Sequence, residues 1–280
     1  MIIPYSILIM SDINYSEFKK PPHQMQESRW GESFVFDIET QGIPSRVREY
    51  ADPYPEFVEP KYGNTKDPVK KQALRAAKYD EWVNGEDEWW KQKDERSALN
   101  PLTGRIVAIG YLHPYLSTDG AEEPDQEYPS RWDNITIDGL SPSGNHEVEE
   151  RAVLSRFWEK VNVACASYGH IIGHNIEEFD LPFLIRRSWM LNVPVAPMIR
   201  RGRYYHQNVV DTMKVWALTD YKKFVGLNDL AKILGVGKKM EGYDAKQFAH
   251  DWLVGDKDTA EFYLKTDVSV THEVYRRLYA

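Results

Sequence analysis

The spacing of apolar and polar positions changes period several times along the chain. Residues 34–40 read Phe-Val-Phe-Asp-Ile-Glu-Thr, an apolar run broken by two acids two residues apart, which predicts a β-strand with both acids on one face. Residues 41–65, rich in Pro, Tyr and charge, read as irregular. Over 66–98, Val69, Ala73, Ala76 and Val83 recur at roughly helical spacing among charges, which predicts helix, with Gly85 as its breaking point near Trp82, Trp89 and Trp90. Ile106 to Ile109 are continuously apolar and predict a buried strand over 105–112. Residues 113–131 read as loop and 134–137 as a short third strand. Over 148–163, Ala152, Leu154, Phe157, Trp158 and Val161 define one side of an amphipathic helix. Residues 170–173 predict a fourth strand, and from Phe179 the chain is mostly helical, with breaks at 193–203, Gly226, Gly235 to Gly242 and Gly255. The expected class is α/β, in a single domain over 31–280. A segment over 1–30 precedes it, and a largely helical insertion over about 41–104 follows the first strand.

Composition narrows the class. The chain of 280 residues, 42% hydrophobic and 13% aromatic, suffices for one large core and is marginal for two domains. The single cysteine, Cys165, excludes an internal disulfide and a cysteine-based zinc site; among apolar neighbours it reads as a buried thiol in a reducing compartment. No apolar stretch approaches a transmembrane span, and apolar residues 1–10 lack the basic start and cleavage site of a secretory signal. A cytoplasmic protein with no membrane partner is expected. The net charge of −8, from 35 basic and 43 acidic residues, argues against coating nucleic acid by bulk attraction but not against gripping a chain end. Basic residues cluster at Arg186-Arg187, Arg200-Arg201-Gly202-Arg203, Lys222-Lys223 and Lys238-Lys239, each of which also reads as a solvated face.

The acids carry the chemistry. Burying Asp37 and Glu39 on one strand face is costly unless a cation neutralises them, and paired oxygens suit Mg²⁺ or Mn²⁺. Alone the signal is weak, because Asp125-Gln126-Glu127 repeats it in a polar stretch. Further acidic elements follow in order. Gly173-His174-Asn175 leads through Phe179 to Asp180 near a helix start, where a carboxylate is favoured and a plain helix cap is the alternative. Tyr263 and Asp267 share one helix face at i, i+4 spacing, which Tyr115 and Asp119 repeat in a loop. Asp211, ending the run Val209-Val210, reads as a structural N-cap in preference to a catalytic acid.

Taken together, Phe36-Asp37-Ile38-Glu39-Thr40, Gly173-His174-Asn175 through Phe179-Asp180-Leu181-Pro182, and Tyr263 to Asp267 resemble the three motifs of the DEDD superfamily of 3′→5′ exonucleases. Tyrosine four before the last acid marks the DEDDy branch, and Leu227 to Gly235 is similar to a segment of the stand-alone group related to the proofreading domain of family-B DNA polymerases. The resemblance implies a ribonuclease-H-like mixed sheet flanked by helices, and phosphodiester hydrolysis with two divalent ions, Mg²⁺ or Mn²⁺. On that implication Asp37 bridges both ions, Glu39 and Asp267 complete the water-activating site, Asp180 holds the second ion through water, and Tyr263 orients the attacking water as a neutral phenol. Thr40 offers its backbone to the 3′-hydroxyl. Asn175 and Phe179 are candidates to hold the terminal nucleotide by hydrogen bond and by stacking, although Phe179 reads equally well as core. Arg201 and Arg203, beside Tyr204-Tyr205, are candidates for backbone phosphates.

The expected partner is nucleic acid with a free 3′ end, DNA favoured and RNA possible, released as nucleoside 5′-monophosphates in repair or end trimming. An exoribonuclease and a non-catalytic binding module of the same fold are the competing readings. The motifs do not specify protein partners. The insertion, basic over 66–78 and acidic with tryptophans after it, reads as a helix covering one face of the sheet, with a lid or strand-separating wedge as the functional alternatives.

Overall fold

The computed structural model describes residues 34–112, 134–166, 169–197, 199 and 208–279. β1 (Phe34–Gly42) pairs antiparallel with β2 (Gly104–Leu112), which pairs antiparallel with β3 (Ile135–Gly139). On its other side β1 runs parallel to β4 (Ile171–Gly173), and β4 to β5 (Val209–Asp211), so the five strands lie in the order β3-β2-β1-β4-β5. This is the mixed, ribonuclease-H-like sheet expected, with one strand the periodicity missed: Val209 to Asp211, read as the lead-in to a helix, form β5.

Alternation along β1 decides what each face meets. Phe34, Phe36 and Ile38 pack against Leu154, Phe157 and Val161 of α3 (His146–Ala166) and Leu181 and Leu184 of α4 (Asp180–Met190). Val35, on the opposite face, joins Phe248 and Trp252 of α7 (Ala245–Leu253) and Leu264 and Val268 of α8 (Lys257–Leu278). Asp37 and Glu39 share the parity of Val35 and so point toward α8. Gly110, the cross-strand partner of Asp37, permits this approach: a Cβ there would sit 2.8 Å from Leu264 Cγ and 3.1 Å from Val268 Cγ2. Two short helices, α5 (Thr212–Ala217) and α6 (Leu227–Leu234), complete the α8 side, where Leu230 and Ala231 pack on Val270 and Val274.

The insertion differs from its expectation. Part of the supposedly irregular 41–65 is helical, as α1 (Pro44–Tyr50). α2 (Pro68–Ser97) runs through Gly85 without a break, capped by Asp67, whose carboxylate accepts from the Val69 amide at 2.9 Å. Gly85 serves close approach: the Tyr54 hydroxyl, donating to the Trp82 carbonyl at 2.6 Å, would lie 2.7 Å from a Cβ at that position. Nor does α2 cover the sheet. Its buried residue is Ser97, in the last turn against Gly42 of β1, and the rest of its length is covered only in part, by the strap 51–67 through Tyr54 and Phe57 on Tyr79 and Trp82.

Arg187, grouped above with a basic pair of solvated character, is 1% exposed and ion-paired with Glu150 inside the α3/α4 layer. Among the described residues no helix is long and apolar enough to cross a membrane.

Candidate active site

Strand, helix and loop converge on the α8 face of the sheet. From β1 come Asp37 and Glu39; from α8 comes Asp267, one turn after Tyr263. An oxygen of each of these three carboxylates lies within 4.8 Å of the other two. Glu39 and Asp267 are buried, and Asp37 is the partly exposed member. Asp180, the first residue of α4, is also buried and stands just outside this triad. Its Oδ1 and the Oδ1 of Asp267 have no hydrogen-bond partner among the described residues. Buried polar atoms are nearly always satisfied, so two orphaned carboxylate oxygens in one place argue for an ion.

The electrostatics agree with the geometry. Burial, and next the charge of Asp267, pushes Asp37 up to about 7, while Lys239 and the Ile38 amide act the other way. Glu39 is raised well above its ordinary value by burial and then by Asp37 and Asp267. Asp180 is raised likewise, by burial and then by Asp37. Burial raises Asp267 too, but less freely, because Lys239 opposes it. The Lys239 Nζ lies 2.5 Å from Asp267 Oδ2 and 5.3 Å from the centre of the Tyr263 ring. Burial works against the charge of Lys239, yet Asp267, Asp37 and Glu39 outweigh it and raise its pKa. Tyr263, buried against Tyr243 at 5.0 Å between ring centres, is raised by its burial and by Asp267, so it is a neutral phenol near pH 7.

The loop carrying Asn175 is held from below. Asp211 caps α5 through the Met213 amide at 3.0 Å, as its sequence position suggests, and also accepts from the amides of Asn175 (2.9 Å) and Glu177 (3.1 Å). These contacts fix Asn175 in the left-handed region at φ 65, a conformation asparagine tolerates better than most residues. Glu177 and Glu178, within the second motif between Asn175 and Phe179, are engaged by Lys214 Nζ at 2.9 and 2.7 Å. Phe179 is half-buried, packing on the α3/α4 core and on the Phe183 ring at 5.7 Å while keeping an open side. Thr40 is buried beside a β-bulge, its hydroxyl donating to the Ala98 carbonyl at 2.7 Å. Arg201 and Arg203 lie outside the described residues.

Sequence reasoning missed Lys239 and the cradle formed by Asp211. Lys239 was visible only as half of a basic pair in a glycine-rich loop, a pattern with no period to place it. Asp211 gave the signal of a cap, and its second task depends on β5 lying beside β4.

A family model described as a predicted 3′–5′ exonuclease related to the exonuclease domain of PolB matches residues 128–280, more than half of the chain. No curated protein matches it. The matched region contains Asp180, Tyr263 and Asp267, whereas Asp37 and Glu39 lie before it and join them through the pairing of β1 with β4. The chain therefore belongs to the family of predicted 3′–5′ exonucleases related to the exonuclease domain of PolB.

Proposed function

We propose that this protein is a metal-dependent 3′→5′ exonuclease acting on DNA, single-stranded or frayed, and that residues 31–280 form its exonuclease domain with 41–104 inserted. The observation that carries the reading is the mutual repulsion of the buried Glu39, Asp180 and Asp267 and the partly exposed Asp37, with Lys239 as the one cation of the chain in ion-pair contact with them among the described residues. Hard divalent cations such as Mg²⁺ or Mn²⁺ fit such an all-oxygen donor set. Two of them, when bound, would activate water and stabilise the attacking and leaving oxygens of a phosphodiester. Asp37, Glu39 and Asp267 would hold one, with Asp37 shared, and Asp180 the other.

The protein's own groups do the rest. The Tyr263 hydroxyl, neutral and one helical turn from Asp267, would hydrogen-bond the attacking water. Asn175, fixed by Asp211, presents an amide to the terminal nucleotide, and the open side of Phe179 offers a stacking surface worth about 1–3 kcal/mol per base. The Thr40 side chain is committed to Ala98, so a contact of Thr40 with the 3′-hydroxyl would be made by its backbone.

The test uses 5′-labelled single-stranded DNA and RNA of identical sequence with Mg²⁺ or Mn²⁺. A ladder shortening from the 3′ end, faster on DNA and lost in EDTA, is expected. A faster ladder on RNA would transfer the assignment to an exoribonuclease. No ladder on either, from a folded protein that binds the oligonucleotides, would make this a binding module.

A further inference from the structure

We infer that the insertion is an arm that grips the phosphate backbone of the nucleic-acid substrate about ten nucleotides from its reacting end; this rests on the exonuclease reading above. The root of the arm is at the rim of the acidic site. Ala98, directly after α2, accepts the hydroxyl of Thr40, the neighbour of Glu39, and Trp90 and Asp94 of α2 face Lys246 of α7 across a shared cleft. Lys246 lies three residues beyond Tyr243, which packs on Tyr263. From that root α2 extends away for 30 residues, about 45 Å at the rise of an α-helix.

Charge is sorted along this length. The half nearest the root is acidic: Asp80, Glu81, Glu86, Asp87, Glu88, Asp94 and Glu95 stand against Lys91, Lys93 and Arg96. The distal half of α2 and the adjoining strap carry Lys61, Lys66, Lys70, Lys71, Arg75 and Lys78 against Asp52, Glu56, Glu59 and Asp67, and over 66–79 five cations face Asp67 alone, which is occupied as the helix cap. The strap folds these cations onto one end: Arg75 pairs with Glu59 at 2.8 Å, and Lys71 Nζ lies 5.7 Å from the Tyr62 ring centre. Of the six, Arg75 alone has a carboxylate partner among the described residues. A basic end on a chain of net charge −8 is complementary to a polyanion, and the polyanion nearest the root is the substrate.

Distance sets the register. Lys78 and Lys70 lie 19 and 27 residues before Ser97 in α2, or about 28 and 40 Å from the root. At about 3.4 Å per nucleotide of stacked strand, that span is roughly 8–12 nucleotides. The acidic root keeps the intervening backbone from settling on the helix midway.

The experiment compares full-length protein with a variant carrying Lys66→Glu, Lys70→Glu, Lys71→Glu and Lys78→Glu, all away from the core and checked for an unchanged melting temperature. Substrates are single-stranded DNAs of about 30 and about 8 nucleotides. Anisotropy in EDTA across a salt series reads binding, and 5′-labelled ladders in Mn²⁺ read turnover. The wild type is expected to bind the longer strand with the steeper salt slope and to slow as its products reach roughly 8–12 nucleotides. The variant is expected to lose up to about 3 units of that slope, from four contacts at about 0.7 each, and at least about tenfold in affinity for the longer strand. Equal slopes and equal kcat/KM for both lengths in the wild type, or a variant indistinguishable from it, overturn the arm and leave the exonuclease standing. Failure of the wild type to degrade either strand overturns both.

Discussion

Glu150 and Asp267 are equally deep carboxylates in opposite company. Glu150 receives the Ile106 amide at 2.9 Å and both Nε and Nη2 of Arg187 at 2.8 and 2.6 Å, and Arg187 spends Nη1 on the Pro101 carbonyl at 3.1 Å. Asp267 meets Asp37 and Glu39, with Asp180 close by, and one lysine on a loop. Both sites bear the desolvation of buried charge, which costs several kcal/mol per ion. The first is closed by the chain itself and ties α3, α4 and β2 together. The second is left open for a ligand. Burial alone therefore does not identify function; burial without internal compensation does.

The largest effect expected from breaking this contrast is on catalysis. Asp37→Ala should lower kcat by at least about a thousandfold, because ion-borne charge stabilisation is worth several kcal/mol. The same variant should leave the metal-free melting temperature unchanged or higher, since it removes a repelling charge. Glu150→Ala should do the reverse: it strands the Arg187 charge, costing about 3–5 kcal/mol in urea unfolding, while the surviving folded protein keeps its ion site. Glu150→Leu with Arg187→Met should recover most of that loss if the pair is purely structural.

Lys239 sharpens the comparison from the other side. It neutralises Asp267 as Arg187 neutralises Glu150, but through one contact and from a loop. Lys239→Met should destabilise the metal-free protein and tighten Mn²⁺ binding, measured by calorimetry, on the order of tenfold, since a close charge pair is worth at least 1–2 kcal/mol.

His174 extends the comparison to pH. It is a half-buried neutral ring, Nε2 donating to the Val225 carbonyl at 2.9 Å and Nδ1 meeting the Thr212 hydroxyl at 2.9 Å. Burial lowers its pKa from 6.5 to about 4. Between those values the unfolded chain binds the extra proton, so the stability due to His174 is complete above pH 6.5 and fades as pH falls toward 4. His174→Gln should flatten the acid side of the stability profile by at most about 3 kcal/mol, read from urea midpoints across that range.

What could be read from the chain follows from which signals are local. β1 was legible because alternation fixes both a strand and the common face of Asp37 and Glu39. Tyr263 and Asp267 were legible because one helical turn does the same. β5 was not, since three residues carry no period and their strand character comes from β4 beside them. Gly85 misled because its reason is the tertiary approach of Tyr54. Arg187 misled because adjacent arginines look alike in sequence, although only the partner on α3 decides that one is buried. For the same reason α2 looked like a cover for the sheet: its helical spacing was real, but its apolar positions meet a strap and not the core.

The most direct test of the central claim is calorimetric titration of Mn²⁺ into the metal-free protein, run beside Asp37→Ala and Glu150→Ala. Saturable binding of two ions per chain is expected in the wild type and in the folded fraction of Glu150→Ala, with loss of at least one ion in Asp37→Ala. No saturable binding by folded wild type, or binding untouched by Asp37→Ala, would contradict the assignment of these carboxylates as an ion site.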